Sequence, residues 1–125
     1  MRISLVYLLF LTIGIAGLSG CTSENKELKQ DARRIASAMC NNLYAMKKLK
    51  MANPADSVGI KKIQAEVKEI QADMAILYTD FNTKYAEKAK TDEFNREFRK
   101  YLNESMLDCK SLSTEEREMF SRSLK

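Results

Sequence analysis

Three thiols, Cys21, Cys40 and Cys109, are the most reactive groups in this chain, and it contains no histidine. Without imidazole it lacks the commonest general base and the commonest zinc ligand. No Gly-rich phosphate loop, no Gly-x-Ser-x-Gly and no Cys-x-x-Cys occurs, and no set of residues has metal-ligand spacing. Glu66, Glu69 and Asp73 lie beside Lys62 and Lys68, where surface ion pairing on a helix is the ordinary expectation. A catalytic residue set, a metal site and a bound cofactor are therefore not expected. Thiol chemistry is left to decide what the chain can do.

Cys21 stands at the end of an apolar run. Arg2 is followed by apolar residues from Ile3 to Leu18, then by Leu18-Ser19-Gly20-Cys21. That tetrapeptide resembles the lipobox of bacterial lipoproteins. The resemblance implies cleavage between Gly20 and Cys21, a diacylglycerol on the Cys21 thiol and an N-acyl lipid on the new amino terminus. Residues 1–20 are then a removed signal peptide, 21–26 a lipidated terminus and short linker, and 27–125 a helical domain. An uncleaved membrane helix fits less well, since the run is short, carries Gly14 and Gly17, and lacks a basic flank after it. Two acyl signals anchor stably where one chain is marginal.

The remaining composition bounds the domain. Three of the four glycines precede Cys21, so Gly59 and Pro54 are the only residues of their kinds after it. With Ala, Glu, Lys, Leu and Met abundant, an all-helical fold follows. Arg2 is the only charged side chain in the first twenty residues, leaving 20 basic against 17 acidic. So balanced a surface is not that of a nucleic-acid binder.

The elements that must position the thiols are legible in the apolar spacing. Leu28, Ala32, Ile35, Met39, Leu43 and Met46 predict a first helix from about Glu24 to Lys50. Asn53 and Pro54 suit the N-cap and first position of the next helix, with a looser turn through Ser57 as the alternative. Ile60, Ile63, Val67, Ile70, Met74, Leu77 and Phe81 form a heptad seam, widened by Tyr78 and Tyr85 into a face for two neighbouring helices. This second helix is expected to be the surface on which the first and third pack within one chain, as a monomer. Thr91, Asp92 and Glu93 start a third helix with the stripe Phe94, Phe98, Leu102, Met106 and Cys109. Ser113 and Glu116 make a capping box for a short fourth helix, Thr114 to about Leu124. Met119, Phe120 and Leu124 are expected to close one end. The whole is an up-down-up three-helix bundle with a short C-terminal fourth helix.

With Cys21 given to lipid, Cys40 and Cys109 remain as an even pair outside the cytoplasm, where a disulfide is expected. Cys40 lies about 20 Å below the turn joining the first two helices. Cys109 lies about 27 Å above the turn joining the second and third, and the second helix separates those turns by about 50 Å. The two levels agree within several ångströms, as a bridge requires.

Function then falls to surfaces. Lys47, Lys48, Lys50, Lys61 and Lys62 cluster around the first turn, with Asp56 the only acid among them. They suit an anionic partner such as lipopolysaccharide, a cell-wall polymer or an acidic protein. Ile76 interrupts the polar face opposite the seam, where Lys62, Glu69 and Thr83 keep the same register. It is either covered by the tail helix or left for a partner. Asp56-Ser57-Val58 is similar to an O-glycosylation motif that some gut bacteria use on exported proteins.

Two classes fit this outline. A lipid-tethered binding or accessory module with an envelope protein partner resembles the small secretion pilotins in its lipidated start, helical domain and early-to-late disulfide. Murein lipoprotein is the comparison for a structural membrane-to-wall spacer, since this chain also ends in lysine, Lys125; its single long helix differs from the several expected here. Thr22 after the lipidated Cys21 implies the outer membrane under the enterobacterial sorting rule. Glu24, Lys26 and Glu27 resemble the surface-export signals of other lipoproteins.

Overall fold

The computed structural model describes residues 16–125, with side-chain surroundings from Glu24 onward. Most of the run from Ile3 to Leu18 and the side chain of Cys21 lie outside the described residues. Among the described residues there are four α-helices and no strand: α1 Ala16–Met51, α2 Ser57–Lys84, α3 Asp92–Met106 and α4 Thr114–Arg122, with a 3-10 turn Lys88–Lys90 before α3. They form the expected up-down-up bundle with a short fourth helix. None of the described helices is long and apolar enough to cross a membrane.

Local chemistry sets three of the helix starts. Thr91 Oγ1 accepts from the Phe94 N–H at 3.4 Å, and two acids follow in the first turn of α3. Ser113 and Glu116 make the full capping box, with bonds of 3.2 and 2.7 Å. The start of α2 differs from expectation. Asp56, not Asn53, is its N-cap, and accepts from the Gly59 N–H at 2.9 Å. Asn53 instead accepts from the Ala55 N–H at 3.0 Å, an Asx-type turn that carries Pro54 outside the helix. Gly59 suits this cap because a Cβ there would collide with the Asp56 carboxylate. The first helix extends back past Glu24 to Ala16, the first described residue, and the last ends at Arg122 rather than Leu124.

The hub of the bundle is α1, not α2. Both α2 and α3 pack along α1, while α2 and α3 meet each other far less. The reason lies in α1 itself. Buried Ala36 and Ala45 are nine residues apart, which places them on opposite sides of one helix. Two helices can therefore dock on it. The stripe Leu28, Ala32, Ile35, Met39 and Leu43 runs between and beside them, as the spacing predicted. α3 has 15 residues against 28 in α2, about 22 Å against about 42 Å. It cannot cover the long seam. Of that seam only Val67 and Phe81 are buried; Ile60, Ile63, Ile70, Met74 and Leu77 are half-buried, and Tyr78 is exposed.

Two clusters make the core. At the end nearest Cys21, buried Leu28, Ile35, Phe81 and Tyr85 gather with Phe94, Phe98 and Tyr101. Ring centroids of Phe81 and Phe98 lie 4.4 Å apart, and those of Tyr85 and Phe94 5.1 Å, within the range of favourable tilted aromatic contacts. Further up, Ala36, Met106, Cys109 and Leu112 pack with Met39, Leu43, Leu102 and Phe120. Here Cys40 and Cys109 are joined in a disulfide with their Cα atoms 5.7 Å apart. The two thiols do stand level on α1 and just past α3.

α4 turns back along α3. Arg117 donates to the Leu107 and Cys109 carbonyls, and Asn103 Nδ2 donates to Ser123 Oγ at 2.8 Å. Consequently Phe120 seals the flank of the upper cluster, and Met119, which was expected to help close one end, is exposed. Since α4 lies on α3, it does not cover Ile76, which is 60% exposed.

Candidate functional site

The five tip lysines are divided by the fold. Lys47 Nζ donates to the Ser111 carbonyl at 2.5 Å and to Glu116 Oε2 at 2.8 Å, fastening α1 to the start of α4. Its ammonium, together with the Ser113 N–H, holds the Glu116 carboxyl down at about 2. Lys48 pairs with Glu66 on α2 at 3.2 Å. These two lysines are structural ties and not part of a free basic surface. Lys50, Lys61 and Lys62 are exposed and have no ion pair among the described residues. Glu66 thus pairs between helices, whereas the expected pairing of Glu69 and Asp73 with Lys62 and Lys68 is absent among the described residues.

Large apolar side chains share the tip with those lysines. Met51, the last residue of α1, is 85% exposed; Val58, at the start of α2, is 79% exposed; Tyr44 is 58% exposed. Tyr44 and Met51 are seven residues apart, so they stand on one face of α1. With Ile63 they line an open groove of about 420 Å³ beside the tip. Tyr44, Met51 and Val58 have no place in the apolar pattern of the sequence. Their signal was available, since Tyr44 and Met51 fall off the apolar stripe of the first helix and so had no core position to fill.

A second polar constellation lies at the opposite end. Lys84 Nζ reaches Asp31 at 2.6 Å and Glu27 at 2.8 Å, and Lys88 reaches Glu24 at 2.9 Å. Asp31 and Glu27 hold the Lys84 ammonium protonated well above the ordinary lysine range. Tyr85 donates to Asp31 at 2.9 Å, and burial followed by this bond pushes its phenol up to about 12. Leu28, Tyr85 and Phe94 floor an open groove of about 420 Å³ there, with these ion pairs along its rim. All the charges in this network are opposed by near partners, so it ties α1 to α2.

Among the described residues no group of histidines, cysteines or carboxylates is placed to hold a metal ion. Ser57, the residue of the glycosylation-like motif, is exposed at the first position of α2, and the Asp56 carboxylate beside it is engaged in capping. No protein-family model, no curated protein and no solved structure matches the chain.

Proposed function

We propose that this protein is a membrane-anchored cell-envelope lipoprotein, held by lipid on Cys21, that works as a non-enzymatic binding or accessory module. The observation that carries the reading is Leu18-Ser19-Gly20-Cys21 behind its apolar run. The chain leaves the anchor through α1, and about 45 Å separates Cys21 from Met51 along that helix. A rigid stalk of this kind presents its tip away from the membrane, on the outer-membrane face toward the periplasm or on the cell surface. Free lysines and exposed apolar side chains at that tip are features of a surface that binds; the paired thiols have no free nucleophile to offer.

Metabolic labelling with a clickable fatty acid, followed by mass spectrometry of the amino-terminal peptide, tests the anchor. The expected peptide begins at a diacylglycerol-modified Cys21, and Cys21→Ser abolishes labelling. An intact Met1 terminus with a free Cys21 thiol sinks the reading. Muropeptide digestion distinguishes a wall spacer, for which a peptidoglycan fragment on Lys125 is the signature.

A further inference from the structure

We propose that the α1–α2 tip docks onto a second, anionic lipid surface, so that a chain anchored at one membrane bridges to another; the inference rests on the anchored-module reading. Met51 and Val58 stand on either side of the five residues that join α1 to α2, exposed by 85% and 79%. Leaving large apolar groups in water is unfavourable, and a lipid interface removes that exposure. Tyr44 lies about 10 Å behind Met51 on the same face of α1. When Met51 enters the acyl boundary end-on, this places the Tyr44 ring at headgroup depth, where amphipathic aromatic rings partition.

Charge complements this geometry. Lys50 adjoins Met51 in α1, Lys61 and Lys62 follow Val58 by three and four residues in α2, and none of the three has an ion pair among the described residues. The tip's one acid, Asp56, turns its carboxylate to the Gly59 N–H. Lys47 and Lys48 spend their charge on Glu116 and Glu66. Glu115, exposed at the start of α4 beside the Lys47–Glu116 pair, lies about one helical turn back from Met51, the depth also of Lys61 and Lys62 on α2. Lys50, Lys61 and Lys62 thus outnumber Asp56 and Glu115 by three to two, and this positive excess lies within a Debye length of any surface that Met51 touches. A lipid surface is favoured over an acidic protein because Met51 and Val58, the two most exposed large apolar side chains, stand at the outermost turn on separate helices beside these lysines and form no single continuous apolar face. A fluid interface accepts such side chains one by one, whereas a protein partner needs a broader complementary face.

The test uses the full lipid-bearing chain in vesicles of phosphatidylcholine alone, with flotation scoring its insertion. A second, fluorescent vesicle population is then added, either phosphatidylcholine alone or mixed with phosphatidylglycerol, and co-flotation of the dye is read. Anionic vesicles are expected to be tethered and neutral ones not. The triple variant Lys50→Glu, Lys61→Glu, Lys62→Glu lowers tethering roughly a hundredfold, and Met51→Ser with Val58→Ser roughly tenfold. Far-UV circular dichroism checks that both variants keep the helical fold, since all five side chains are exposed. Equal tethering of neutral vesicles, no tethering at all, or an undiminished triple variant overturns the proposal. So does binding to soluble poly-glutamate by a chain that ignores anionic vesicles, a result that selects an acidic protein instead. If the chain fails to float with the first vesicles, the anchor reading fails, and direct flotation with anionic vesicles then tests the tip by itself.

Discussion

The two ends of the bundle are held together by different means. Near Cys21 three helices converge, and Phe81 and Tyr85 at the end of α2 interlock with Phe94 and Phe98 at the start of α3. Toward the tip, α2 and α3 no longer share a core. There α3 and α4 are bound to α1 by the Cys40–Cys109 disulfide and by Lys47, while α2 lies on α1 with most of its seam only half-buried. Where three helices meet, buried aromatic rings and the Lys84–Asp31–Glu27 pairs act together. Toward the tip a covalent bond and the Lys47 tie hold α3 and α4 to α1, and α2, with only the exposed Lys48–Glu66 pair and a half-buried seam there, is the least secured.

Removing the covalent tie should produce the largest effect. Reduction, or replacement of both cysteines by alanine, is expected to cost about 4 kcal/mol for a loop of this length, read from urea midpoints. Non-reducing mass spectrometry should find the Cys40–Cys109 cross-linked peptide beforehand; free thiols in freshly isolated protein would remove the basis of the comparison. At the other end, Phe81→Ala should cost about 3 kcal/mol, because its ring touches three others and the gap cannot collapse. A smaller loss than that of an upper-cluster change such as Phe120→Ala would reverse the assignment of the aromatic end as the tighter core.

Hydrogen exchange resolves the contrast within one helix. Amides of residues 60–70 in α2 should open at least about 1 kcal/mol more easily than those around Phe81. Uniform protection along α2 would mean that its exposed seam is covered in solution. The smallest effect belongs to the Lys47–Glu116 tie. Glu116 titrates at about 2 in the fold against an ordinary 4.5, so its contribution is fully present above about pH 4.5 and is lost as pH falls through about 2. Glu116→Gln should lower stability at neutral pH and flatten that acid limb of the pH–stability curve, with little change below pH 2.

What could be read beforehand was local in origin. The N-cap at Thr91, the capping box at Ser113 and the stripe Leu28, Ala32, Ile35 depend on residues within one or two turns, and each stands where spacing put it. Pairing Cys40 with Cys109 required only that helix rise convert residue count into height. The start of α2 was left open between the Asn53 cap and a looser turn through Ser57, because Asn53 and Asp56 are both good caps and only the path of the turn, which takes the second course, chooses between them. The tip was half legible. Its lysines are visible as a run of charges, but whether each is free depends on acids 18 and 69 residues away.

Sequence by itself determined the helical class, the starts of the third and fourth helices, and the pairing of Cys40 with Cys109, because propensity, capping and periodicity are properties of neighbouring residues. Tertiary structure decided which helix is the hub, which lysines are spent as ties, and which apolar side chains remain in water. Those depend on relative helix lengths and on two opposite faces of α1 being covered at once. A seam that looks central from its own pattern becomes peripheral when the helix meant to share it is too short to reach.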